Sequence, residues 1–110
     1  MIFRALCCAT FALIAPLATT AQPLTTVKVA IQNFAFAPRV ITVPAGATVT
    51  WTNADDDLHT VVANDHSFRS PALDSGDAFS HTFAKPGAYP YSCSLHPEMT
   101  GEVVVKPSGG

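Results

Sequence analysis

Gly76–Cys93, GDAFSHTFAKPGAYPYSC, holds two runs in which apolar or aromatic side chains alternate with small or polar ones. Phe79 and Phe83 share one parity, and Tyr89 and Tyr91 share another. Successive side chains of a strand face opposite sides of the sheet, so this period of two predicts strands at Ala78–Phe83 and Ala88–Cys93, each with one face toward a core. Lys85-Pro86-Gly87 separates them. Proline presets φ and glycine accepts positive φ, so the tripeptide reads as a hairpin turn.

The same pattern extends in both directions, predicting strands at Thr25–Gln32, Val40–Val43, Ala47–Thr52, His59–Ala63 and Gly101–Lys106. Val27, Val29, Ile31, Val49, Trp51, Val103 and Val105 join the aromatic residues as core candidates. Pro44-Ala45-Gly46 reads as a second hairpin turn. No stretch carries a useful helical period, and short, closely spaced strands suit an all-β, Greek-key β-sandwich of about seven or eight strands. Residues 64–77, NDHSFRSPALDSGD, are expected to form a long crossing loop with one helical turn, and the tail from Pro107 to Gly110 to fray.

The N-terminus has another character. MIFR precedes the apolar ALCCATFALIAPLA, and small residues follow up to Ala21, the arrangement of a secretory signal peptide over residues 1–21. The apolar run is shorter than the roughly 20 residues that cross a bilayer, and Pro16 interrupts it. Cleavage would leave a single domain, residues 22–110, in the periplasm or outside the cell, with no membrane insertion. The whole chain has 6 Lys and Arg against 8 Asp and Glu. The leader takes Arg4 with it, so the exported part is more acidic, and its basic residues are scattered, which argues against nucleic acid and anionic membrane surfaces as partners.

Cys7 and Cys8 leave with the leader, so Cys93 stands alone in an oxidising compartment and has no partner for an internal disulfide. It begins Cys93–Met99, CSLHPEM, in which a thiol, an imidazole and a thioether follow one another at intervals of three. Soft sulfur and imidazole donors together suit copper. A trigonal site of two His and one Cys with a weak axial Met needs one more histidine, and His59, His66 and His81 compete for the place. His59, at the start of a predicted strand, ranks first. His81 alternates with Phe79 and Phe83 and reads as a hydrogen-bonded histidine of the core or its margin, and His66 as a solvated loop residue. Met99 could instead fill a core gap, but Glu98 and Thr100 give it polar neighbours.

From Val27 to Val105, through AGATVTWTNADDDLHTVV, GDAFSHTFAKPGAYPYSC and CSLHPEMTGEVVV, the chain resembles a small cupredoxin, a blue copper protein of the plastocyanin and amicyanin kind. The resemblance implies a β-sandwich holding one copper ion through His59, Cys93, His96 and Met99. It also implies monomeric one-electron transfer between redox donor and acceptor proteins that dock on an apolar patch near His96. Two positions depart from the pattern. Thr60, following the isolated histidine, stands where relatives often carry Asn to tie the two ligand segments together, opposite Ser94. Glu98 puts an acid where relatives often carry an aromatic side chain.

CSLHPEM has no spare histidine for a second copper, so the chain reads as a carrier rather than an enzyme. Copper storage, delivery or sensing by the same ligands is the rival, and structural zinc is weaker because Met is a poor zinc ligand. Asp55-Asp56-Asp57 reads as a solvated turn, since three consecutive carboxylates cannot converge on calcium. Asn53 reads as a turn residue ending its strand.

Overall fold

Val, Ile and Thr recur along the chain and favour extended backbone because branching at Cβ restricts χ1. In the computed structural model, which describes residues 25–108, they build eight strands. These are β1 Thr26–Gln32, β2 Ala35–Ala37, β3 Val40–Pro44, β4 Ala47–Asn53, β5 Val62–Ala63, β6 Ala78–Phe83, β7 Gly87–Ser92 and β8 Thr100–Lys106. The expected leader and the last two residues lie outside the described residues. Two four-stranded sheets result, ordered β2-β1-β4-β6 and β3-β8-β7-β5. Each contains one parallel pair, β1 with β4 and β3 with β8, beside antiparallel ones. This is the expected all-β sandwich.

The inner faces follow the predicted parity. Val29, Ile31, Val49, Trp51 and Phe83 of one sheet meet Tyr91, Val103 and Val105 of the other, all buried. Trp51 lies among Phe68, Phe79, Phe83 and Tyr91, with ring centroids 5.4–6.4 Å away. Val27, Phe79 and Tyr89 are half-buried at the margin of this core. His81 also lies at the margin, but it packs against the Phe68 and Phe83 rings at 4.7 and 4.8 Å. On the outer face of the first sheet, hydroxyl pairs Thr48–Thr82 and Thr50–Ser80 at 2.8 Å connect β4 to β6.

Four expectations require correction. The turns at Pro44–Gly46 and Lys85–Gly87 do not close hairpins: β3 and β4 belong to different sheets, as do β6 and β7. Both turns carry the chain from one layer to the other, and the Ala45 and Gly46 N–H groups donate to Lys106 and Phe83 carbonyls at 2.8 and 2.7 Å. A proline–glycine turn reverses the chain without specifying which edge it will pair with. The short strand β2, absent from the expectations, forms the actual hairpin with β1 across Asn33-Phe34.

The strand expected over His59–Ala63 shrinks to Val62–Ala63, because residues 64–77 fold back along it. His59 and Leu73 exchange both backbone hydrogen bonds at 3.1 and 2.7 Å, and Ser70 N–H donates to Val61 O at 2.8 Å. The predicted helical turn in that loop is absent, since its backbone groups are used in these bonds and it contributes buried Phe68 and Leu73 to the core.

Gly101 on β8 faces Tyr91 on β7 in register. A methyl group there would overlap the Tyr91 ring. That ring is buried and packs edge-on to Phe36 and Trp51 at 4.7 and 5.4 Å, so it has little room to withdraw. Gly101→Ala is expected to destabilise the fold by about 1–3 kcal/mol, the usual cost of overpacking a dense core, read as a lower urea midpoint.

Candidate metal centre

Cys93 directly follows β7, and Met99 directly precedes β8, so residues 93–99 are the link between two adjacent antiparallel strands. The link is drawn tight by its own backbone: Cys93 N–H donates to Met99 O at 3.1 Å and Met99 N–H to His96 O at 2.9 Å. Cys93 and Met99 are buried and His96 is half-buried. Glu98 and Thr100 are exposed, so the sequence neighbours of Met99 do not describe its surroundings.

His59 arrives from the loop between β4 and β5 and is fully buried. Its Nδ1 lies 3.9 Å from Cys93 Sγ, and His96 Nδ1 lies 3.6 Å from the same sulfur. One donor atom from each of His59, Cys93 and His96 lies within 4.8 Å of the others, a spacing that admits one metal ion. His66 is exposed in the 64–77 loop and His81 sits on the far strand β6; neither joins the group.

The tautomer of His59 follows from its other nitrogen. Nε2 lies 2.9 Å from Asp55 Oδ2, and an ionised carboxylate only accepts, so Nε2 donates to Asp55 and Nδ1 is the nitrogen turned toward the sulfur. Asp55 is therefore not the solvated turn residue expected. It also accepts N–H bonds from Asn33 and Phe34 at 2.7 and 2.9 Å. The Phe34 N–H in particular holds the carboxyl below its ordinary range, and Asn33 and His59 act in the same sense against the partial loss of solvent. Asp56 and Asp57 are exposed, as predicted.

Asn53 is likewise more than the expected turn residue. It ends β4, but its side chain is fully buried, donating to Asp57 O and Leu73 O at 2.9 Å each and accepting from Asp55 N–H at 2.9 Å. One amide thus fixes the turn that delivers both Asp55 and His59.

Thr60 supplies the tie between ligand segments despite its type. Its N–H points to Cys93 Sγ at 3.3 Å, while its Oγ1 accepts from Ser94 N–H and pairs with Ser94 Oγ, both at 2.8 Å. Phe34 carries no distinguishing signal in the sequence. It stands with Asn33 at the centre of the β1–β2 hairpin, both at φ +56°. Two left-handed residues suit the twist of a two-residue hairpin, but a bulky side chain there stores about 1–3 kcal/mol of strain.

The group can hold a soft metal, because a thiolate and two imidazole nitrogens converge, with a buried thioether on the same seven-residue link. That donor set fits copper better than zinc, which takes Met poorly.

Comparison with known proteins agrees with this chemistry. The family profile described as "Cupredoxin-like domain" matches residues 3–105. Amicyanin of Paracoccus versutus is 31% identical over 96 residues, covering 83% of this chain and 73% of the relative. The purple cupredoxin of Nitrosopumilus maritimus superposes with a TM-score of 0.69 at 34% identity, covering 73% of this chain and 99% of that one. A Cu-containing nitrite reductase from Thermus scotoductus SA-01 superposes at TM-score 0.70 and 35% identity, over 77% of this chain but only 23% of the reductase.

Burial alone would push the Cys93 thiol up. The Thr60 N–H, the His96 and His59 rings and the Leu95 N–H outweigh burial and bring it down to about 6. In the metal-free protein the thiolate ultraviolet absorbance should therefore titrate near 6, and not at the unfolded value of about 8.5. A folded-state value below the unfolded one stabilises the fold fully above the unfolded value, and that stability disappears as pH falls through the folded one. Urea midpoints of the protein minus those of Cys93→Ser should accordingly shrink from pH 9 to pH 5; a constant difference would contradict the lowered thiol.

Proposed function

The chain belongs to the cupredoxin-like family, and from that premise we propose that it is an exported, monomeric carrier of single electrons that holds one copper ion at His59, Cys93, His96 and Met99. The observation that carries the proposal is the convergence of the His59, Cys93 and His96 donor atoms within 4.8 Å, on segments locked together by Thr60 and Ser94. Copper supplies the electron exchange by cycling between Cu(II) and Cu(I).

The protein's own groups keep the site in one arrangement. Thr60 N–H offsets charge on the sulfur, and Asp55 fixes the His59 ring by its far nitrogen. The short 93–99 link and its two internal backbone bonds leave His96 and Met99 little freedom relative to Cys93. A stiff donor set asks for little rearrangement when an electron arrives or leaves.

Access is from the His96 side. His96 is the least buried of the four, and exposed Phe34, Leu58 and Leu95 stand against it or next to a histidine of the site in sequence. Exposed Phe34 packed on a half-buried imidazole, with exposed Leu95 next to His96 in the chain, suits brief docking of exported redox proteins, and exposed Glu98 is available to bias partner choice by charge. The likeness to amicyanin, 73% of which the chain covers, favours a carrier over a catalyst.

The test is to add Cu(II) to the purified protein and record its visible spectrum. An intense thiolate-to-copper band, absent in Cys93→Ser, is expected; full copper occupancy without colour would refute the assignment. Electron self-exchange much faster than copper loss, with a reversible potential, is expected of a carrier, whereas storage or delivery would reverse that order.

A further inference from the structure

Phe34 occupies an improbable place. Its backbone lies at φ +56°, where the second residue of a tight hairpin is ordinarily glycine, and its side chain is 46% exposed. Burial therefore explains little of the choice of phenylalanine. Its aromatic contacts explain more: the ring stands edge-on to His59 at 5.2 Å and 89° and to His96 at 5.1 Å and 86°, while those two imidazoles lie 5.0 Å apart. The three rings form a nearly equilateral triangle.

The backbone beneath the ring is held from the same site. One Asp55 carboxylate oxygen accepts the Asn33 N–H, and the other accepts the Phe34 N–H and faces His59 Nε2. Asp55 thus binds the hairpin tip and a candidate ligand at once, and the hairpin tip returns its ring to that ligand and to its neighbour. His59 is oriented by a hydrogen bond as well as by this ring. Among the described residues no hydrogen bond reaches the far nitrogen of His96, which is half-buried on a loop, and the Phe34 ring packs edge-on against that imidazole from the β1–β2 turn.

We propose that Phe34, clamped in a left-handed turn by Asp55, is a positioning residue that holds the His96 and His59 imidazoles in their ligating orientation before any metal arrives. The proposal rests on reading those two histidines as ligands. It makes the β1–β2 turn, remote in sequence from the ligands, part of the centre's construction. The exposed Phe34 ring is then retained for what it touches, and the strain in its backbone is offset by the carboxylate beneath it.

Phe34→Gly separates this role from a merely structural one, because glycine suits the turn backbone better than phenylalanine while the ring is lost. In the metal-free protein the urea midpoint should rise or stay level, and ring order of His96 measured by NMR relaxation should fall from a rigid value toward about 0.6 or below. Competition between the protein and a chelator for Cu(II) should show about a tenfold weaker affinity, the scale on which outer partners of metal ligands act. Phe34→Tyr should restore both ring order and affinity. Unchanged His96 and His59 ring order in Phe34→Gly would overturn the proposal. Should the parent protein take up no copper, the carrier assignment fails, and the ring-order comparison in the metal-free protein still decides the role of Phe34.

Discussion

Burying a sulfur that is easily ionised obliges a chain to bring donors to it, and much of the architecture at this end of the sandwich serves Cys93. Its side chain has no solvent exposure, so Thr60 N–H and the two imidazoles stand where water would otherwise stand. Thr60 can reach the sulfur only if the loop after β4 crosses to the end of β7. That crossing is held by the hydroxyl of Thr60 against Ser94 and by the buried amide of Asn53. His59 is delivered by the same two anchors, since it lies beside Thr60 in sequence and between the groups that Asn53 binds.

The sheets supply rigidity to this end. Trp51 and Tyr91 cross at the centre of the core, and each lies on a strand that runs to the site: β4 ends in Asn53 and β7 ends just before Cys93. Packing at that density leaves few alternative rotamers, so the register of β4 and β7 is transmitted to the loops they carry. The folded-back 64–77 segment closes the remaining side, placing Leu73 against His59 by a pair of backbone bonds. Two histidines, one cysteine and one methionine therefore come from only two loops, yet three further segments determine where those loops stand.

Some of this is legible in the sequence. The alternation of Val29 with Ile31, Val49 with Trp51, and Val103 with Val105 is a direct trace of which face is buried, because the side-chain period of a strand is two. Thr60 shows the limit of reading by type: a threonine stands where asparagine is common, yet an N–H and a hydroxyl are what the link requires. Asp55 shows another limit. Three identical carboxylates in a row look alike in sequence, and only the fold turns the first toward Phe34 N–H and His59 while leaving the other two in water.

The sequence by itself determined the strand parity, the lone cysteine downstream of the apolar N-terminal run and the even spacing of Cys93, His96 and Met99, because each is read directly along the chain. Only the tertiary structure decided that the two proline–glycine turns join layers and do not close hairpins, and that the strand expected over His59–Ala63 shrinks to Val62–Ala63 beside a folded-back loop. It alone placed Phe34 and Asp55 against the histidines. The reason is common to all of these: which edge a strand pairs with, and which distant side chain fills a gap beside a ligand, are set by closing a shared core, a condition no local segment carries.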